Sequence, residues 1–269
     1  MPDTSSVNAL KMTQPMRYVL TILLSLLMSP ASAGELRMLG TGASRAIIEG
    51  MARQFEAATG HRIALVTDTA GGGTRRVLSG EAYDVIMIVP SAIDDLIARG
   101  HAVAGTRRDI ASVGVGVGVR EGETRPDIST VAAFIAALRA APRIAYVDPA
   151  AGGTSGIYFR NWLERNGLAA EMAPKTRLHA GGHVAELVAQ RESDLVLHQI
   201  SEILPVKGVV MIGPLPAEIQ LTTTYSAGLS ASARDPALAR AFIDHMTSAV
   251  AGEIIRAAGM EQPRQAAPK

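Results

Sequence analysis

From residue 36 onward the hydrophobic positions switch repeatedly between short continuous runs and a spacing of three and four. Leu36–Leu39 is a short apolar run that reads as a strand. Ile47, Ile48, Met51, Ala52 and Phe55 then fall on one helix face, with Ser44 as its N-cap and Gly60 as its C-terminal stop. Ile63–Thr67 returns to strand, and Ala70-Gly71-Gly72-Gly73-Thr74 leads into a helix over Thr74–Ser79. Val85–Val89 is apolar throughout, as a strand buried on both faces should be. Ser91 and Asp94 resemble a capping box for a helix that ends near Gly100.

The alternation continues beyond residue 110. Ser112–Val119 (SVGVGVGV) reads as a strand whose glycines suit either a crossing segment with close neighbours or an ordinary core strand. A helix is expected over Val131–Ala140, a strand over Ile144–Val147, and a helix over Gly156–Asn166 on which Phe159, Trp162 and Leu163 pack. Thr176–His179, Leu195–Leu197 and Val209–Ile212 are short strands, with a helix over Val184–Arg191 between the first two. The run from Gln220 (LTTTYSAGLSAS) suits a second crossing strand. Asp235-Pro236 opens a helix over Pro236–Thr247. Another helix spans Ser248–Ala258, and Gln262–Lys269 is a tail. Strand, loop and helix in repetition predict βαβ units and a parallel sheet.

Four loops between strand and helix are built from small residues: Thr41–Ser44, Ala70–Thr74, Gly152–Ser155 and Gly181–Val184. The first amides of a helix lack intrahelical partners and carry partial positive charge. In open α/β sheets such loops lie at the carboxyl ends of the strands, where ligands bind. They are expected to face one another across a cleft and hold a small anion without chemistry on it. Arg45 and Arg75 adjoin two of these loops; they are either carboxylate contacts or surface arginines.

Near-matches to catalytic motifs fail on specific residues. Gly153-Thr154-Ser155-Gly156-Ile157 lacks the last glycine of G-x-S-x-G, and Gly40-Thr41-Gly42-Ala43-Ser44-Arg45 lacks the third glycine of the dinucleotide fingerprint. Gly71-Gly72-Gly73-Thr74 has no Gly-Lys-Ser/Thr, so it is not a Walker A loop. His179, His183 and His198 have no cysteine or acidic cluster to complete a metal site, and Gly181-Gly182 keeps the first two off a common helix face. No metal and no cofactor are expected.

Lys11 and Arg17 precede the apolar run Tyr18–Met28, which ends in Pro30-Ala31-Ser32-Ala33. That is the pattern of a secretory signal peptide cleaved after Ala33, with Met1, Met12 or Met16 as the start. Cleavage removes Lys11, Arg17 and Asp3 and leaves 24 basic and 24 acidic residues, which offers nothing to nucleic acid. With 48% hydrophobic residues and no cysteine, the exported fold rests on its core, with neither a disulfide nor a lipid-carrying cysteine as a stable membrane anchor. Aromatic residues make up only 4%, too few for a stacking platform.

The segments VTDTAGGGTRRVLSGEAYDVIMI, RIAYVDPAAGGTSGIYFRNWLERNGL, HVAELVAQRESDLVLHQISEI and ARAFIDHMTSAVAGEIIRAAGM are similar to the periplasmic molybdate-binding proteins, the solute receptors of ABC importers. The resemblance runs from about Leu36 to Met260. It implies an α/β, two-lobed periplasmic-binding-protein fold of type II, each lobe a mostly parallel sheet flanked by helices, with two crossing strands. Residues 34–110 and 227–269 would form lobe 1 and residues 111–226 lobe 2. The resemblance also implies a monomeric periplasmic receptor that closes over a molybdate- or tungstate-like oxyanion and delivers it to the importer's membrane subunits. Its binding residues, carried over by position or neighbouring those positions, are Thr41, Gly42, Ala43, Ser44, Ala70, Gly71, Gly72, Thr154, Ser155, His183, Val184, His198 and Gln199. Ala43 stands where the family has serine, Ala70-Gly71-Gly72 replace further serines, and Leu197-His198-Gln199 replace a tyrosine. Each lost hydroxyl removes a hydrogen bond to an anion, on the order of 1.5–3 kcal/mol. Two alternatives follow: the same receptor binding a small organic carboxylate, and a periplasmic serine hydrolase using Ser155 with a histidine.

Overall fold

The computed structural model describes residues 33–263, and its longest strand decides the layout. Strand β4 (Arg108–Arg120) pairs through its first half with β9 (Thr222–Leu229) and through its second half with β7 (Leu195–Gln199) and β8 (Val209–Pro214), all antiparallel. On the β9 side lie β3 (Val85–Ile88), β1 (Glu35–Thr41) and β2 (Arg62–Asp68); on the β7 side lie β5 (Ile144–Val147) and β6 (Thr176–His179). The order is β2-β1-β3-β9-β4-β7-β5-β6, and the pairs β1–β2, β1–β3, β5–β6 and β5–β7 are parallel. Each half is therefore a parallel three-stranded sheet finished by antiparallel crossing strands.

The alternating glycines of β4 have a steric cause. A Cβ at Gly116 would lie 2.9 Å from Ile200, and one at Gly118 would lie 3.0 Å from Ile203 and Val196. Bare strand on that face lets the short helix α8 (Ile200–Ile203) lie directly on the sheet. Sequence periodicity does not reveal α8, because four residues are too few to show one.

Helices cover both faces of each half, which explains why the central strands are apolar without a break. Successive strand residues point to opposite faces. Val85 and Met87 enter a core with Leu36, Met38, Met51, Phe55 and Phe242, while Ile86 and Ile88 enter another with Leu39, Tyr83 and Leu96. In the second half Tyr146 packs with Phe134, Phe159 and Trp162, and its neighbour Val147 packs with Val184, Val188 and Val196. The rings of Phe159 and Trp162 stack at 5.9 Å, as the helix spacing implies.

The remaining helices are α1 (Arg45–Thr59), α2 (Ala70–Leu78), α3 (Pro90–Ala98), α4 (Val131–Ala140), α5 (Thr154–Arg165), α6 (Ala169–Met172), α7 (Glu186–Ala189), α9 (Pro236–Met246) and α10 (Ala251–Ala257). Gly60 closes α1 at φ 74°, and the Asp235 side chain caps α9 by accepting from the amides of Ala237 and Leu238. Several boundaries differ from the sequence expectation. The Ala70–Gly73 stretch is helix rather than loop, because the Thr69 hydroxyl accepts from the Gly72 amide and starts α2 earlier. No side chain caps α3; Val89 occupies the cap position and Pro90 enters the first turn, so Ser91 and Asp94 form no capping box. The expected helix over Val184–Arg191 shrinks to α7, and that over Ser248–Ala258 begins at Ala251.

Asp84 holds the first half together. Its carboxylate is 1% exposed and accepts from the amide of Arg37 at 2.7 Å, the amide of Arg234 at 2.7 Å and the Arg234 guanidinium at 3.2 Å. Asp84→Ala leaves two amides without partners and is expected to lower stability by about 2–3 kcal/mol. The urea midpoint should fall with its slope unchanged.

The signal-peptide assignment falls on residues 1–33, all but the last of which lie outside the described residues. Among the described residues no helix is long and apolar enough to cross a membrane.

Candidate functional site

The four small-residue loops meet. Thr41, Gly42 and Ala43 at the end of β1, Thr69 and Ala70 at the start of α2, Gly153, Thr154 and Ser155 at the start of α5, and Gly181 and Gly182 after β6 line one cavity of about 30 Å³. The amides of Gly42, Ala43, Ala70, Ser155 and Gly182 have no hydrogen-bond partner among the described residues, so the cavity is ringed by free donors. Its volume has room for about two water molecules.

The rest of the wall comes from β7, α8 and β9: His198, Gln199, Glu202 and Tyr225. Burial pushes the Tyr225 phenol well above its ordinary range, with the nearby negative charge of Glu202 adding to the effect, so it remains a neutral hydroxyl. Gln199 donates from Nε2 to the Thr223 hydroxyl at 3.1 Å, leaving its Oε1 buried without a partner among the described residues. Ser155 Oγ lies 3.3 Å from Nδ1 of His198, and Nε2 of His198 lies 3.3 Å from Oε1 of Glu202. This last contact is close but poorly aligned, so Nε2 makes no hydrogen bond among the described residues. All three residues are at least 92% buried: Ser155 and His198 are 3% exposed and Glu202 8%.

Glu202 explains two glycines that the sequence suggested only as amide donors. A Cβ at Gly42 would lie 2.2 Å from Glu202 Oε1, and one at Gly182 would lie 2.7 Å from the same atom. One glycine from each half leaves the space in which this carboxylate sits. The same carboxylate also lines a second, larger cleft of about 670 Å³. The two cavities share Gly42, Asp68, Thr69, Gly181, Gly182 and Glu202, and the outer one adds Arg45, Arg76, His183 and Lys207 together with the acidic Glu49 and Glu186.

Cations on the outer cleft differ in how far they are engaged. Arg76 donates to Asp68 at 2.6 Å and to Glu81 at 3.0 Å; this bonding, with Asp68 foremost, raises its pKa. Arg45 bonds only the Thr67 hydroxyl, at 2.6 Å. Neither Arg45 nor Lys207 makes an ion pair among the described residues.

Several residues expected at the anion stand elsewhere. The Ser44 hydroxyl turns back to Thr41, accepting from its amide at 2.9 Å, and caps no helix amide. Gly71 and Gly72 do not line the inner cavity; Gly71 donates to the carbonyl of Gly152 at 3.1 Å, and Gly72 packs against Asp68 and Thr69. Val184 lies with its side chain in the core. His183 faces the outer cleft and pairs with Glu186 at 2.9 Å. Arg75 reaches the Ala151 carbonyl at 3.2 Å. Thr69, Glu202 and Tyr225 were missed. No local signal marked them: His198 lies in strand β7 and Glu202 in the four-residue α8, so their spacing of four is not that of one helix.

The two halves touch around the pocket. Thr69 Oγ1 donates to the Ala151 carbonyl, and Ser201 Oγ donates to the Ala43 carbonyl at 2.8 Å. These contacts join the Gly71–Gly152 bond in closing the cavity.

Comparison with known proteins agrees with this architecture. The family model of bacterial extracellular solute-binding proteins matches residues 36–261. The chain belongs to that family. This solute-binding protein is 31% identical over 232 residues to an aconitate isomerase of a Pseudomonas species, a match covering 84% of this chain and 87% of that protein. Its fold resembles that of the periplasmic molybdate-binding protein of Azotobacter vinelandii, with a TM-score of 0.72 at 21% identity, covering 85% of this chain and all of the other. The sulfate-binding protein of Mycobacterium tuberculosis gives 0.69 at 14% identity, covering 86% and 88%. At these identities the two structures show the fold, the type II periplasmic binding fold, and leave the ligand open. The family's function is solute binding. Membership in the molybdate-binding branch, which the sequence resemblance implied, is not established by these matches.

Proposed function

We propose that this solute-binding protein takes a small organic polycarboxylate between its two halves. One carboxylate would sit in the inner cavity against the amides of Gly42, Ala43, Ala70, Ser155 and Gly182 and the hydroxyls of Thr41, Ser155 and Tyr225. The rest of the molecule would extend past Gly42 and Gly182 toward Arg45 and Lys207. The observation that carries this reading is a pair of cavities that share lining residues, an inner one ringed by donors and an outer one on which Arg45 and Lys207 stand beside Glu49 and Glu186 without an ion pair among the described residues. A tetrahedral oxyanion would fill the inner cavity alone, beside the buried Glu202 carboxylate, and would have no use for the outer one. The likeness to an aconitate isomerase, whose name implies a tricarboxylate, supports the larger ligand.

In this reading the halves, residues 34–110 with 227–269 and residues 111–226, act as lobes that close by bending at β4 and β9. The protein is exported to the periplasm and hands its ligand to ABC importer subunits as a monomer. A second reading, that the bound acid is isomerised rather than carried, is favoured by the Ser155–His198–Glu202 chain and by the same relative. The hydrolase alternative finds its serine–histidine contact. The sequence around Ser155, however, lacks the last glycine of the nucleophile-elbow motif.

Thermal shift against cis- and trans-aconitate, citrate, succinate, molybdate, tungstate, sulfate and phosphate tests the proposal. At one hundred times Kd a specific ligand adds about 2.7 kcal/mol, a rise in Tm of roughly 5–10 °C for a chain this size. Response to the tricarboxylates is the expected result. Response to molybdate and tungstate alone would replace the polycarboxylate with an oxyanion.

A further inference from the structure

We propose that Glu202 is a proton-transfer group, with His198 and Ser155 positioning it, and that the protein moves a proton between two carbons of a bound unsaturated polycarboxylate. The inference rests on the polycarboxylate reading above and adds chemistry to it. Glu202 is the one titratable side chain of the buried chain that faces both cavities, so it stands where the inner carboxylate of the ligand would join its carbon skeleton.

The surroundings suit that task. With Nδ1 of His198 accepting from the Ser155 hydroxyl, the ring proton lies on Nε2, 3.3 Å from Glu202 Oε1 and out of line with it. A buried donor without a bond has the means to align once a ligand shifts the carboxylate. A receptor that only grips an anion gains nothing from a buried carboxylate next to it, since like charges repel at that range. An enzyme that removes a proton from carbon needs such a base.

The step balances without an added reagent. Glu202 takes a proton from a methylene lying between a carboxylate and a carbon–carbon double bond. The C–H electron pair forms a new double bond, the old double bond shifts, and its far carbon accepts the proton back from Glu202. Negative charge developing on the adjacent carboxylate falls among the amides of Gly42, Ala43 and Ser155. The product is an isomer, and nothing is oxidised or reduced.

Proton NMR of the purified protein with trans-aconitate and, separately, cis-aconitate in D2O provides the test. Expected are deuterium entry at the methylene and vinyl carbons and interconversion of the two isomers. Glu202→Gln should slow both by 10²- to 10⁴-fold while calorimetry shows that aconitate still binds at least as tightly, the neighbouring negative charge being gone. His198→Gln should lower kcat more than it raises KM, as a positioning residue would. Ser155→Ala, a smaller change that should fold, gives a third reading of the chain through a lower kcat. Tight aconitate binding by the wild-type protein with no deuterium entry would overturn this inference and leave the binding proposal standing. No aconitate binding at all would overturn the binding proposal and this inference with it. Full turnover by a folded Glu202→Gln protein would remove Glu202 from the role.

Discussion

Replacing Gly156 with alanine is expected to lower the melting temperature by about 10 °C. A Cβ at this position would lie 2.0 Å from the carbonyl oxygen of Val147 and 2.9 Å from its carbonyl carbon. Both are backbone atoms of β5, so no side-chain rotation relieves the clash, and α5 must lift from the strand beneath it. Overpacking of this kind typically costs about 1–3 kcal/mol and sometimes more, and with fixed backbone on the other side we expect about 3. For a chain of this size each kcal/mol moves Tm by about 2–4 °C. Lifting α5 also displaces Ser155, the neighbouring residue, so ligand binding should fall together with stability. Calorimetric scans with and without ligand would register both losses; an unchanged Tm would mean that α5 and β5 do not pack as closely as described.

Gly71→Ala should separate binding from stability in the opposite way. Gly71 lies in the first turn of α2, where alanine favours the helix by up to about 1 kcal/mol over glycine. Where the two halves stand apart, the protein should therefore be as stable as the wild type or slightly more so. Its new Cβ, however, would meet the Cα of Gly152 at 2.9 Å and the Gly152 carbonyl oxygen at 3.3 Å. Gly152 has φ 84° and meets Gly71 from the other half of the molecule, so the halves must part for the methyl group to fit. Closure over the ligand then loses the Gly71–Gly152 hydrogen bond and the seal around the inner cavity. Affinity should drop at least tenfold, about 1.4 kcal/mol, measured by titration calorimetry. Wild-type affinity in Gly71→Ala would show that binding does not require the two halves to meet there.

These two glycines show how differently the parts of the site can be read from sequence. Both lie in runs of small residues marking where a strand gives way to a helix, and that pattern alone brought four loops under suspicion. The structure places all four on one cavity. It also separates their glycines by task. Gly42 and Gly182 clear space for a carboxylate, Gly71 and Gly152 let two backbones touch, and Gly156 lets a helix lie on a strand. No local pattern distinguishes these, because each depends on what stands opposite. Glu202 was missed for a related reason. It sits in a helix of four residues, too short to show a period, and Gly42, whose missing Cβ leaves it room, lies 160 positions earlier in the chain.

The amino-acid sequence by itself determined the alternation of strand and helix, the burial of the central strands on both faces and the position of most turns. Those features depend on residues near one another in the chain, through side-chain periodicity and the conformational preferences of glycine, proline and capping residues. Only the tertiary structure decided which turns share a cavity, that Ser155, His198 and Glu202 lie side by side, and that among the described residues Arg45 and Lys207 lack ion-pair partners while Arg76 has two. Those features arise where crossing strands bring distant segments within a few ångströms, and contact at that range has no counterpart in the local order of residues.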